Sequence, residues 1–166
     1  GYGIYARNQT YGDVTIDATN EAGDASVYGQ DAGIYAQNTG PGSVVVSTND
    51  VSAYNGAAIS VRNGYRNYVS IGSAFTISSA NSDETGTAEV RSDDTGIRAA
   101  NYAGGDVYVS ANNVYAQEGD AIRASNSPGY YYYGPRVLTV SVSEGGKYGP
   151  TAYSGPSGDI TVRTTG

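Results

Sequence analysis

The sequence predicts an all-β fold in the form of a parallel β-solenoid, and three observations carry that prediction. A six-residue phrase returns five times: GIYARN at 3–8, GIYAQN at 33–38, AISVRN at 58–63, GIRAAN at 96–101 and AIRASN at 121–126. After each copy come further short segments of alternating apolar and polar residues, set apart by Gly, Asn, Asp and Ser. The apolar residues are mostly valine, isoleucine and alanine rather than leucine, a composition that suits strands better than helices.

The repeated phrase reads as the first strand of each unit. Within it Ile4 and Ala6, Ile34 and Ala36, Ile97 and Ala99, and Ile122 and Ala124 alternate with Tyr5, Tyr35, Arg98 and Arg123. Side chains on a strand point alternately to opposite faces, so the small and branched residues are expected inside and the large polar ones outside. A degenerate sixth copy, GPTAYS at 149–154, puts Pro150 in the isoleucine position and Ser154 in the asparagine position.

The second strand of each unit reads as VTI at 14–16, VVV at 44–46, VSI at 69–71, VYV at 107–109, LTV at 138–140 and ITV at 160–162. In the first four units it begins ten residues after the isoleucine. A third segment follows as ASV at 25–27, VSA at 51–53, AEV at 88–90 and VYA at 114–116. Three short strands per coil and about six coils are therefore expected, in one solenoid segment covering residues 1–166. A β-sandwich would also use short strands, but the recurring three-segment order and the scarcity of hairpin Asn-Gly turns count against it.

Two stretches exceed the regular spacing and read as insertions, at 72–87 and 128–135. The first contains its own alternating AFTIS, with Phe75 or Ile77 expected against the solenoid. The second holds Tyr130, Tyr131, Tyr132 and Tyr133 between Pro128-Gly129 and Gly134-Pro135, where the step from Ile122 to Leu138 is sixteen residues instead of ten. Four adjacent phenol rings on a loop offer rigid amphipathic contact area suited to binding or assembly. The outward Tyr5, Tyr35, Arg98 and Arg123 form a second candidate contact stripe, or else pack on one another through cation-π contacts.

Asn8, Asn38, Asn63, Asn101 and Asn126 each stand four residues after the first-strand isoleucine. That register predicts a structural asparagine ladder, its amides bonded along the stack and to turn backbone. Asn8-Gln9-Thr10 fits the N-glycosylation pattern, but the ladder claims the same side chain and no glycan is expected. GGDVYV at 104–109 matches part of a calcium-binding nonapeptide without a tandem copy, and reads as a turn. The outward second-strand positions Thr15, Val45, Ser70, Tyr108, Thr139 and Thr161 are too mixed for an ice-binding face.

With 16 acidic and 9 basic side chains the net charge is −7, which argues against nucleic acid or an anionic membrane as partner. No cysteine and no histidine are present, so thiolate chemistry and the commonest general base are excluded. No apolar run is long enough to span a membrane. The carboxylate pairs Asp83 with Glu84, Asp93 with Asp94, and Glu118 with Asp120 sit in turns rich in Gly, Ser and Thr, where solvated carboxylates are the default. Asp94 and Asp120, ahead of successive first strands, are the pair that stacking would bring within about 5 Å, the separation a retaining glycosidase uses. The same pair is the candidate for a calcium ion; otherwise no cofactor is expected.

The phrases GIYARN, GDVTI, GIYAQN, GIRAAN, GDVYV and GDITV, set among acidic and Gly-rich turns, resemble the passenger region of bacterial autotransporters along essentially the whole chain. That resemblance implies a right-handed β-helix, exported to the bacterial cell surface, with a role in adhesion, self-association or biofilm. The family's C-terminal membrane barrel, linker helix and signal peptide are not in this sequence. Neither end reads as capped, so the expected neighbours are further coils of a longer chain or other copies stacked end to end. The reading is an adhesive extracellular protein that is not an enzyme, with copies of itself, surface glycans or cell-surface proteins as partners. The alternative is a β-helical polysaccharide lyase or glycoside hydrolase.

Overall fold

The computed structural model describes residues 1–22, 24–40, 42–64, 77–81, 89–102, 107–126, 136–144, 151–154 and 158–164. In chain order the strands are β1 (Tyr2–Asn8), β2 (Val14–Ala18), β3 (Ser26–Gly29), β4 (Ala32–Asn38), β5 (Val44–Thr48), β6 (Asp50–Ala53), β7 (Ile59–Asn63) and β8 (Ile77–Asn81). They continue as β9 (Glu89–Ser92), β10 (Ile97–Asn101), β11 (Val107–Ala116), β12 (Ile122–Asn126), β13 (Arg136–Glu144), β14 (Thr151–Ser154) and β15 (Gly158–Thr164). The described residues are all-β, with no helix, and the strands pair parallel.

The repeated phrase builds the first sheet, six strands in the order β1-β4-β7-β10-β12-β14. Its register follows the sequence repeat: Ile4, Ile34, Ile59, Ile97 and Ile122 are successive partners, and so are Asn8, Asn38, Asn63, Asn101, Asn126 and Ser154. The second sheet has nine strands, with β2-β5-β8-β11-β9-β6-β3 along one path and β13 and β15 added beside β11. Two rows of segments merge in it because β11 is ten residues long. Residues 107–111 of β11 pair with β8 and β13, and residues 113–116 pair with β9.

One apolar cluster draws on both sheets. Ile34, Ile59, Ile97 and Ile122 from the first sheet meet Val44, Val46, Val51, Val90, Val107 and Val114 from the second, all of them buried. Strands covered on one face by another sheet favour β-branched residues, whose stiff side chains fill a pleated surface with little rotamer entropy to lose. The position before each isoleucine is Gly or Ala for a steric reason. A Cβ on Gly33 would run into the Val51 side chain and would lie 2.9 Å from the Ala58 carbonyl oxygen. That narrow gap is where the first sheet passes closest to the third row of segments.

One assignment differs from the sequence reading. The segment at 69–71 lies outside the described residues, and the strand between β5 and β11 is Ile77–Asn81, drawn from the stretch read as an insertion. Ile77 registers with Val44 and Val107, so in this unit the step from the first-strand isoleucine is eighteen residues instead of ten. V-S-I and I-S-S are both short alternating segments in the sequence, and spacing alone does not distinguish them. Pairing with β5 on one side and β11 on the other decides the matter.

Burial of the isoleucine row predicts its sensitivity. Ile34→Ala should cost about 2–5 kcal/mol of unfolding free energy by leaving a cavity in the core. Tyr11→Ser, at a side chain 87% exposed, should change it by less than about 0.5 kcal/mol. Urea titration followed by circular dichroism checks both.

Candidate functional site

The corner after each first strand begins with an asparagine. Asn38, Asn63 and Asn101 are fully buried, and Asn8 is half-buried at the end of its row. Asn8 Nδ2 donates to the Gly12 carbonyl at 2.8 Å, and its Oδ1 accepts from the Thr10 amide at 3.0 Å. Asn38 repeats the arrangement, with Nδ2 donating to the same Gly12 carbonyl at 3.0 Å and Oδ1 accepting from the Gly40 amide at 3.1 Å. Two asparagines of neighbouring strands thus share one turn carbonyl. For Asn8 and Asn38 the observed bonds go to turn backbone, which otherwise would be left without partners at a corner the sheets cannot pair. Among the described residues neither side-chain atom of the buried Asn63 has a hydrogen-bond partner.

Gly42 completes this corner. Its φ of +145° belongs to a region that residues with a Cβ rarely enter, and a Cβ there would collide with the Gly12 carbonyl oxygen. A second corner, before the next first strand, is held by Ser92. This buried hydroxyl donates to the Gly56 carbonyl at 2.5 Å and accepts from the Asp94 amide at 3.0 Å.

On the outward face of the first sheet the pairing register aligns two columns. One runs Tyr5, Tyr35, Ser60, Arg98, Arg123, and the other Arg7, Gln37, Arg62, Ala100, Ser125. Tyr5 and Tyr35 are stacked, with centroids 5.2 Å apart and planes 5° from parallel. Tyr2 closes against both rings at 5.2 and 5.5 Å. The Arg62 guanidinium carbon lies 5.7 Å from the Tyr35 centroid, within cation-π range. The cation that covers the tyrosine stripe is therefore Arg62, from the second column, and not Arg98 or Arg123. Arg62 stands in AISVRN, three residues after the isoleucine, and its contact with Tyr35 is made across the neighbouring strand.

Arg98 and Arg123 stand beyond Ser60, and with Arg62 they line an open groove of about 600 Å³ that also takes in Asp120, Tyr102 and Ser125. Arg98 Nη2 lies 3.9 Å from Asp94 Oδ2, a pair exposed enough for solvent to screen. Among the described residues Arg62 and Arg123 form no ion pair. Arg91, on the other sheet, differs: its Nε and Nη2 donate to Glu89 Oε1 at 3.0 and 2.7 Å. That hydrogen bond, helped by the Glu89 charge, raises the guanidinium above its ordinary value.

Asp94 and Asp120 do not occupy equivalent rows. Ser92 registers with Ala116 and Ile97 with Ile122, so the second connection is one residue longer than the first. The Gly119 amide meets the Asp94 carbonyl at 3.0 Å, whereas the Asp120 carbonyl accepts from Gly96 at 3.1 Å. Asp120 thus reaches the groove while Asp94 sits a step away beside Arg98. Among the described residues no group of three or more acidic side chains is placed to hold a metal ion. Tyr130, Tyr131, Tyr132 and Tyr133 lie outside the described residues.

Comparisons with protein families, with characterised proteins and with solved structures find no match to this chain.

The shared carbonyl makes the corner testable. Asn38→Ala should destabilise the fold by about 1–3 kcal/mol, because it strips a buried turn of two hydrogen bonds. Asn8→Ala, at the half-buried end of the row, should cost less. Denaturant midpoints of the two variants measure the difference.

Proposed function

We propose that the chain is a segment of a right-handed parallel β-solenoid, three strands to a coil and about six coils, that serves an extracellular surface protein in adhesion and self-association. The observation that carries this reading is the repetition of one register through the first sheet, from Ile4 to Ile122, with a continuous tyrosine and arginine face turned outward. A chain that returns to the same register after every 25 to 38 residues is the arrangement expected of stacked coils. The exposed Tyr2 and Tyr5, clustered with the half-buried Tyr35, support a contact role, since large aromatic side chains are enriched where proteins meet partners. The likeness of its repeats to autotransporter passengers adds display on a bacterial cell surface to the proposal.

One observation favours the second reading, a polysaccharide-processing enzyme: Asp120 shares a groove with three arginines. Chemistry there would need Asp120 as acid or base, and Asp120→Asn would abolish turnover of acidic polysaccharides.

Beads coated with the chain should cluster and should bind cells, and replacing Tyr2, Tyr5 and Tyr35 together by serine should reduce both at least about tenfold, as expected when several aromatic anchors are removed. Unchanged clustering and cell binding by the triple variant would remove the tyrosine face from adhesion. Turnover lost in Asp120→Asn would replace the adhesive reading with the enzymatic one.

A further inference from the structure

We infer that the groove formed by Arg62, Arg98 and Arg123 is a binding site for an anionic glycan, a polysaccharide carrying carboxylate or sulfate groups. This deepens the adhesive reading and rests on it. The argument begins with charge. The chain carries a net charge of −7, yet none of the ten positions in the two outward columns is acidic and four of them are arginine. Arg7, Arg62, Arg98 and Arg123 therefore concentrate positive charge on one sheet face of an acidic protein. An acidic molecule of this kind repels polyanions in general, so a local cationic groove selects a ligand small enough in cross-section to lie within it.

Shape follows from the small residues between the arginines. Ala100 and Ser125 occupy the second column beyond Arg62, and the open space of about 600 Å³ there is lined by Arg62, Arg98 and Arg123. Guanidinium presents a planar fork of N–H donors that matches carboxylate and sulfate oxygens, which makes three of them around one space a recognition element for such groups. Asp120 also lines this space. Neighbouring strands stand about 4.8 Å apart, close to the length of one pyranose in an extended glycan, so successive rows can meet successive sugars.

The test is equilibrium binding of the chain to polygalacturonate, to heparin, to neutral dextran and to an oligothymidylate of matched charge. Polygalacturonate or heparin should bind, with affinity falling as salt rises, and dextran and the oligonucleotide should bind at least about tenfold more weakly. A preference between the first two assigns the anion as carboxylate or sulfate. Arg98→Ser with Arg123→Ser should weaken acidic-glycan binding at least about tenfold, equivalent to one or two charge-assisted hydrogen bonds. The exposed Arg91→Ser should leave it unchanged, and far-UV circular dichroism should be the same for all. Equal binding of dextran, equal or tighter binding of the oligonucleotide, or undiminished glycan binding by the double variant would overturn the assignment. If the wild-type chain binds no glycan but still clusters beads and binds cells, the groove assignment falls and the adhesive reading stands. If it does neither, both fall.

Discussion

In-register parallel pairing is the constraint on which everything else depends. Because side chains alternate with a period of two, a slip of β4 by one residue against β7 would carry Ile34 out of the core and bring Tyr35 in. The isoleucine row prevents that slip by burying a branched side chain at the same place in each first strand. With the row in place, the asparagine row and both outward columns are positioned as well, since they are counted from the same residue. Core, corners and outer face are three readings of one register.

The corners show how such pairing survives where the chain must turn. A strand end exposes amides and carbonyls that the next strand no longer meets, and burial makes them costly. Asn8 and Asn38 answer this by converging on the Gly12 carbonyl, while Gly42 permits the backbone to come close enough for the second of those bonds. Ser92 does the equivalent work at a different corner with a hydroxyl. These side chains are committed to backbone, while the outward columns face away from the core.

That surface divides by chemistry along the stack. Toward β1 it is aromatic, with Tyr2, Tyr5 and Tyr35 in mutual contact, and toward β12 it is cationic. Arg62 joins the two parts because its guanidinium lies over Tyr35 while the residue also lines the groove.

How much of this was legible in the sequence follows from which features are local. The first strands, their register and their inward isoleucines and alanines were readable because each copy of the phrase carries the whole pattern within six residues. The strand at Ile77–Asn81 was not, because two alternating segments competed and only pairing with β5 and β11 distinguishes them. Arg62 over Tyr35 and the offset of Asp120 from Asp94 were likewise hidden. The first depends on a neighbouring strand, and the second on a connection one residue longer than its counterpart. The sequence by itself determined the all-β class, the parallel register and the polarity of each strand face, since these follow from a period of two and a repeated phrase. Only the tertiary structure decided which cations meet which rings and where the groove opens, because those depend on contacts between residues tens of positions apart in the chain.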